Sequence, residues 1–263
     1  CIRDRLDTSI IVNIDDEYGK IFLAKAKDKG FKTETIGFSD KADVRLRVTQ
    51  VTPDIQFIEI IRGKLIYVFQ THLIGAIQAI NIGMALLTCE KFGFEFEDMV
   101  KFCNSLKPVP GRLEFVGKTK KGALVYVDFA HTPDALKHLL ETLRELTKGE
   151  LVLVFGAGGD RDKDKRKPMG AIANKYCDLI YVTDDNPRYE DAKSIRKQII
   201  ESCPIAIEIE DRAEAVTTAI QLAQVDDVVI IAGKGHEQVQ IVRDNYFPFS
   251  DFEQASVAIE LMD

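Results

Sequence analysis

Four near-continuous apolar runs of strand length, at 123–128, 151–155, 179–183 and 227–232, are each followed by a loop and then a helical stretch. Strands that lack polar alternation are buried on both faces, and strands that alternate with helices build parallel sheets. Residues 109–263 are therefore expected to form a Rossmann-like, doubly wound α/β domain with a mostly parallel sheet. The helices fit this expectation. Thr132-Pro133-Asp134 supplies an N-cap and a first-turn proline, and Ala135, Leu136, Leu139, Leu140, Leu143 and Leu146 follow along one face. A second helix is expected from Asp211, with Glu214 at capping-box distance.

The first hundred residues mix short strands with helices. Ile10–Ile14 reads as a buried strand and 20–29 as a helix closed by Gly30. Further strands are expected at 33–38, 44–51, 56–61 and 65–69, with Gly63-Lys64 as a hairpin turn, then helices near 73–90 and 95–104. Two prolines and a glycine within Lys107–Gly111 mark a boundary, dividing the chain into domains 1–108 and 109–263. The start at Cys1 instead of Met, with a strand-like run within nine residues, reads as a cut through a longer protein.

Bulk properties exclude several classes. A net charge of −7 argues against sequence-independent nucleic-acid binding, which needs a basic footprint. No apolar run approaches the roughly 20 residues of a membrane helix. The five cysteines form no CxxC pair and match no zinc spacing, so reduced thiols in a cytoplasmic protein are expected, with no metal site formed by this chain.

The polar residues of the second domain gather directly after its four strands: Asp128–His131, Gly156–Asp162, Asp184–Arg188 and Gly233–Glu237. Open α/β sheets bind ligands outside the carboxyl ends of their strands, so a functional site is expected on this edge. The Gly156–Gly159 loop is not a dinucleotide fingerprint, because GxGxxG needs glycine at 161, where Arg161 stands. Its glycines would still let backbone N–H groups approach an anion at a helix start. The acid–base alternation from Asp160 to Lys167 reads as a solvated loop except at Arg161, nearest the strand end. Arg188 offers a planar fork suited to a carboxylate, Asn186 an amide, and Glu237 a partner for a ligand ammonium. A P-loop is missing: in Gly117-Lys118-Thr119 the preceding Gly111 lies six positions back where five are required.

At these motifs the sequence resembles the Mur ligases, in particular the diaminopimelate-adding type. The matching stretches are Pro110–Glu114 (PGRLE), Asp128–Asp134 (DFAHTPD), Phe155–Arg166 (FGAGGDRDKDKR), Thr183–Arg188 (TDDNPR) and Gly233–Glu237 (GKGHE). IVNIDDEYG at 11–19 and the helix with Gly75 and Asn81 look like the end of the family's central ATPase domain. The resemblance implies that 1–108 is the rear part of a P-loop-type α/β domain and 109–263 the amino-acid-binding ligase domain. It implies an ATP- and Mg2+-dependent amide ligase, cytoplasmic and monomeric, joining meso-diaminopimelate to UDP-MurNAc-L-Ala-D-Glu through an acyl phosphate. The UDP-sugar dipeptide would be held by domains that precede Cys1, and the chain alone would be inactive, with no catalytic residue of its own. Arg161, Asp185, Asn186, Pro187, Arg188, Gly233 and Glu237 match the amino-acid site. Arg112, Asp128 and His131 match residues near the nucleotide, and Asn81 one near adenine. Gln78 departs from the asparagine common in the family. Rival readings are a non-catalytic nucleotide- or amino-acid-binding module, a lysine-adding or folate polyglutamate ligase, and a nicotinamide oxidoreductase lacking its fingerprint.

Overall fold

Asp16 begins the first helix earlier than the apolar pattern suggests. In the computed structural model, which describes residues 8–52 and 54–261, its side chain accepts from the Gly19 N–H at 2.8 Å. The helix α1 therefore runs Glu17–Asp28 after strand β1, Ser9–Asn13. Cys1 lies outside the described residues. The chain divides into two compact units, Cys1–Lys107 and Pro108–Asp263.

The first unit continues with β2 (Lys32–Gly37), β3 (Val44–Val51), β4 (Gln56–Arg62), β5 (Leu65–Thr71), α2 (Ala76–Lys91) and α3 (Phe96–Phe102), then a 3₁₀ turn at Cys103–Ser105. Its sheet has the order β1-β2-β3-β4-β5, parallel as far as β3 and antiparallel beyond. Gly63, at φ +59°, turns the β4–β5 hairpin. The α2 helix starts at Ala76 instead of residue 73 because buried Gln56 clamps the preceding turn. Its amide donates to the Leu73 and Gly75 carbonyls at 2.5 and 3.2 Å and accepts from the Gly75 N–H at 3.1 Å.

The second unit comprises β6 (Glu114–Lys118), β7 (Leu124–Asp128), α4 (Pro133–Leu146), β8 (Leu151–Phe155), α5 (Arg166–Tyr176), β9 (Leu179–Val182) and α6 (Ala192–Ile200). After these come β10 (Ile207–Glu208), α7 (Arg212–Leu222), β11 (Val228–Ala232), the strands β12 (Val239–Val242) and β13 (Asn245–Pro248), and α8 (Asp251–Glu260). The six-stranded sheet has the order β10-β9-β8-β11-β7-β6, all parallel except the edge strand β6. Two cores confirm that both faces are covered. Leu151, Leu153, Phe155, Val228 and Ile230 pack with α4, α5 and α6, whereas Val152, Val154, Val229 and Ile231 pack with α7 and α8. The period-2 alternation of side chains thus sends successive residues of one apolar run into different cores.

Thr132 caps α4 as expected, accepting from the Ala135 N–H at 3.3 Å. Leu136, Leu139, Leu140 and Leu143 are buried, but Ala135 is exposed and does not share their face. Asp211 caps α7 through the Glu214 N–H at 2.8 Å. No helix among the described residues is long and apolar enough to cross a membrane.

Candidate functional site

The chain passes from β7 over the position of β11 to β8, proceeds outward to β9 and β10, and returns on the other face to insert β11. That reversal opens a crevice at the carboxyl ends of β7, β11, β8 and β9, where a doubly wound sheet binds its ligands. All four polar loops singled out in the sequence emerge there.

Glycine lets the loops after β8 and β9 touch. A Cβ on Gly156 would fall 2.3 Å from the Thr183 carbonyl oxygen, and one on Gly159 2.0 Å from that of Pro187. The Gly159 N–H donates to the Asn186 carbonyl at 2.9 Å. These glycines serve loop-to-loop packing, which corrects the expectation of an anion cradle at a helix start: α5 begins only at Arg166.

The charged stretch after Gly159 also departs from expectation. Arg161 is exposed and makes no hydrogen bond or ion pair among the described residues, so its guanidinium is free. Arg166, read as part of a solvated run, is fully buried. Its fork meets both Glu190 oxygens at 2.7 and 2.8 Å, Gln198 Oε1 at 2.9 Å and the Gly158 carbonyl at 3.3 Å. Lys163 reaches Glu190 from outside at 3.1 Å. Arg166 holds the Glu190 carboxyl well below its ordinary value, at about 2. The signal for Arg166 was its spacing: it shares a helix face with buried Met169, Gly170 and Ala173.

The loop after β9 carries Asp185, Asn186, Pro187 and Arg188, the first three buried and the last half-buried. Arg188 sits at φ +52°, a region that costs a non-glycine residue about 1–3 kcal/mol and persists only where the surroundings fix it. Here its N–H donates to Ile241 and its carbonyl accepts from Arg243, at 3.1 and 2.8 Å, tying the turn to β12. One guanidinium nitrogen, Nη1, donates to the carbonyls of Gly159 and Asn186 at 2.9 and 3.4 Å. Among the described residues it has no carboxylate partner.

Asn186 and Glu237 meet through Lys234, a fully buried lysine to which the sequence assigns no role, since the Ser or Thr of a P-loop does not follow it. The ammonium donates to Asn186 Oδ1 at 2.9 Å, Glu237 Oε2 at 3.0 Å and the Val239 carbonyl at 2.7 Å. Asn186 Oδ1 also accepts from the Ile241 N–H at 2.9 Å, and its Nδ2 donates to Glu237 Oε2 at 2.8 Å. The Asn186 acceptor is therefore spent inside the protein, and Glu237 turns only Oε1 free. Gly233, at φ +118°, leaves room for Asp185, whose Oδ2 would lie 2.9 Å from a Cβ there. Beneath these loops, buried Arg212 pairs with Asp251 at 2.7 and 2.8 Å and donates to the Ala232 and Asp184 carbonyls at 3.0 and 3.4 Å.

A second group lies at the β7 end of the crevice. Asp128 accepts from the Leu113 and Ala130 N–H groups at 2.6 and 2.7 Å, bracing the 111–113 turn against the 128–131 loop. Burial pushes its carboxyl up, with those two bonds and the Arg112 charge opposing. The exposed Arg112 guanidinium stacks 4.6 Å from the Phe129 ring, which also contacts the rings of His131 and His236. Lys165 donates to the His131 carbonyl at 2.9 Å, and burial pulls its ammonium down against the nearby Asp185 and Asp162. Gly111 admits the 233–237 loop: a Cβ would stand 2.2 Å from the His236 nitrogen.

Asn81 belongs to the first unit. It is exposed on α2, donates to Gln78 at 3.4 Å and rims an apolar groove of about 270 Å³ whose lining includes Leu73, Leu86, Met99 and Phe102. No group of three or more His, Cys, Asp or Glu side chains among the described residues is arranged to hold a metal ion.

Comparison with known proteins sets this geometry in context. The family pattern described as "Mur ligase, glutamate ligase domain" matches residues 111–235, and "Mur ligase middle domain" matches 3–89. Curated relatives include the UDP-N-acetylmuramoyl-L-alanyl-D-glutamate–2,6-diaminopimelate ligases of Caulobacter vibrioides and Agrobacterium fabrum. The chain is 42% identical to the first over 96% of its own length and 52% of the relative. It is 39% identical to the second over 95% of its length and 51% of the relative. The chain thus spans about half the length of the curated relatives it matches. A solved structure of such a diaminopimelate ligase superposes with a TM-score of 0.65 at 30% identity, covering 97% of this chain and 53% of that one. A Mycobacterium tuberculosis folylpolyglutamate synthase complexed with ADP shares the fold, with a TM-score of 0.69 at 20% identity over 97% of this chain and 55% of that one.

Proposed function

We propose, for a chain that belongs to the Mur ligase family through its middle and glutamate ligase domains, that the Pro108–Asp263 unit presents meso-diaminopimelate to UDP-MurNAc-L-Ala-D-Glu in a cytoplasmic, ATP-dependent amide ligation. The observation that carries this reading is the pairing of opposite, outward-facing charges on one rigid edge. Arg188 has an unneutralised guanidinium and Glu237 an uncommitted carboxylate oxygen, both fixed by the same loop network. Diaminopimelate has an ammonium and a carboxylate at each end, and such a site binds one end as a zwitterion. The relatives of about 40% identity, named as diaminopimelate ligases, support the same substrate.

A carboxylate is a poor electrophile because its leaving group would be oxide. ATP supplies the phosphoryl group that turns the substrate's glutamate carboxylate into an acyl phosphate. The contribution of this unit is positioning: it holds the far end of diaminopimelate so that the attacking amine is presented in one orientation. Such positioning converts a bimolecular encounter into an effectively intramolecular one. Arg188, with the free guanidinium of Arg161 beside it, takes the distal carboxylate. Glu237 takes the ammonium, while Asn186 and Asp185 complete the wall around Pro187 and Gly233. Arg112 and His131, braced by Asp128, are assigned to the nucleotide side, and Asn81 of the first unit to the base. Complexes of family-fold neighbours with ADP support nucleotide contact. The Mg2+ that the family implies would neutralise charge on the transferring phosphoryl group, and among the described residues no group of three or more His, Cys, Asp or Glu side chains is arranged to hold it.

Lysine lacks the distal carboxylate and would leave Arg188 unpaired. A charge-assisted hydrogen bond contributes about 1.5–3 kcal/mol, or roughly 10- to 150-fold in affinity. Titration of the 263-residue chain with meso-diaminopimelate and with lysine, followed by backbone amide NMR shifts, is expected to show a preference for diaminopimelate of at least about tenfold. Arg188→Ala is expected to abolish it. An Arg188→Ala protein that keeps the preference would sink this assignment, and preferential lysine binding would favour a lysine-adding ligase.

A further inference from the structure

We infer that Lys234 is the positioning residue of the amino-acid site, setting which way Asn186 and Glu237 present their hydrogen-bonding groups. The inference rests on the amino-acid reading above, because it gives those two residues a ligand to meet. Lys234 is fully buried and cannot touch a ligand. Its ammonium has three N–H donors, and each has a protein acceptor at 2.7–3.0 Å. Two of those acceptors belong to site residues from separate loops, 48 and 3 positions away in the sequence.

An asparagine amide presents either its oxygen or its nitrogen to a given neighbour. Two donors, the Lys234 ammonium and the Ile241 N–H, converge on the same Asn186 atom, and only an oxygen satisfies both. The amide nitrogen is thereby forced toward Glu237 Oε2. That oxygen receives two donors and is withdrawn from ligand binding, leaving Oε1 as the acceptor turned outward. Without the ammonium, the amide loses one of the two donors that distinguish its ends, and Glu237 loses its counter-charge. Of these contacts, the Ile241 N–H would then hold the amide oxygen alone, and the Glu237 carboxylate, tied only by the Asn186 amide nitrogen, would be less firmly oriented. Lys234 therefore acts on the ligand through Asn186 and Glu237, and its effect depends on Glu237 being charged.

Three variants of the 263-residue chain test this: Lys234→Met, Glu237→Gln, and both together. The first readout needs no ligand. Hydrogen exchange of the Asn186 side-chain amide is expected to be slow in the unmodified protein and in Glu237→Gln. In Lys234→Met and in the double variant it should approach the rate of the exposed Asn245. Slow exchange persisting in the double variant would overturn the inference. This comparison holds even if Lys234→Met alone fails to fold, because the double variant leaves no uncompensated buried charge. The second readout is affinity for meso-diaminopimelate. Lys234→Met is expected to lower it tenfold or more, but no more than about twofold when introduced into Glu237→Gln, the signature of coupled residues. An equal loss in both backgrounds would reduce Lys234 to a packing residue and refute the inference. Absence of diaminopimelate binding by the unmodified chain would count against the amino-acid reading, while the exchange comparison would still judge Lys234.

Discussion

Glu190→Gln removes the only carboxylate among the described residues that meets buried Arg166, and its cost can be worked from the structure in two ways. A carboxyl lowered from an ordinary 4.5 to about 2 stabilises the fold by up to roughly 3 kcal/mol at neutral pH. Water reaching the exposed Lys163 arm screens part of this, leaving about 2–3 kcal/mol. Independently, removing one partner of a buried ion pair costs about 3–5 kcal/mol, because the remaining charge stays in the interior. Gln198 and the Gly158 carbonyl still hold Arg166, which favours the lower end. A loss near 3 kcal/mol corresponds to a melting-temperature drop of roughly 6–12 °C for a unit of this size. The assay is urea or thermal unfolding of the parent and Glu190→Gln proteins at pH 7 and at steps down to pH 3. Because the folded value is depressed, the contribution is complete above about pH 4.5 and is lost as pH falls toward 2. About 2 kcal/mol of the difference between the proteins should therefore vanish by pH 3. A difference below about 1 kcal/mol at pH 7, or one unchanged at pH 3, would refute the reasoning.

Gly159→Ala places a Cβ 2.0 Å from the Pro187 carbonyl oxygen and is expected to cost about 1–3 kcal/mol and to weaken amino-acid binding. Gly63→Ala, at φ +59° in open space, should cost only about 1 kcal/mol in the same melt, from backbone strain alone. Burial pushes the Cys103 and Cys203 thiols up to about 11 and raises Cys177 further. Iodoacetamide at pH 8 should thus modify half-buried Cys89 first among the four described cysteines, and rapid native-state labelling of Cys177 would contradict the packing around it.

How far the sequence exposes this structure follows from where each residue's partners lie. A strand buried on both faces writes its whole length as an apolar run, so β7, β8, β9 and β11 were legible directly. The edge strand β6 has no such record: Glu114 to Lys118 pairs with β7 on one side, and each of its residues is partly or fully exposed. The β12–β13 hairpin is likewise half-exposed, yet it braces Arg188 from behind. Local caps at Thr132 and Asp211 were legible because donor and acceptor lie three residues apart. Arg166 and Arg212 were not, because the carboxylates that permit their burial stand 24 and 39 residues away. The glycines of the 156–159 loop were visible but ambiguous. Absence of a Cβ suits an anion cradle and a close loop contact equally, and only the position of Thr183 and Pro187 decides between them.

The buried cations share one arrangement. Arg166 pairs with Glu190, Arg196 with Asp184, Arg212 with Asp251 and Lys234 with Glu237, and each also donates to, or pairs within, a loop at the carboxyl edge of the sheet. Buried ion pairs recover little net stability over apolar residues of similar volume, so stability alone gives no reason for four of them beneath one edge. What they supply is direction: a fixed ammonium or guanidinium accepts only one arrangement of surrounding carbonyls and carboxylates. Loops are ordinarily the most mobile parts of a domain, and a site built on them needs such anchors to hold charges in register. Among the described residues no carboxylate pairs with the guanidinium of Arg161 or Arg188, and both belong to the loops that this layer anchors. Neutralised cations below and unneutralised ones above are what a crevice needs if its remaining charge is to be met by a ligand.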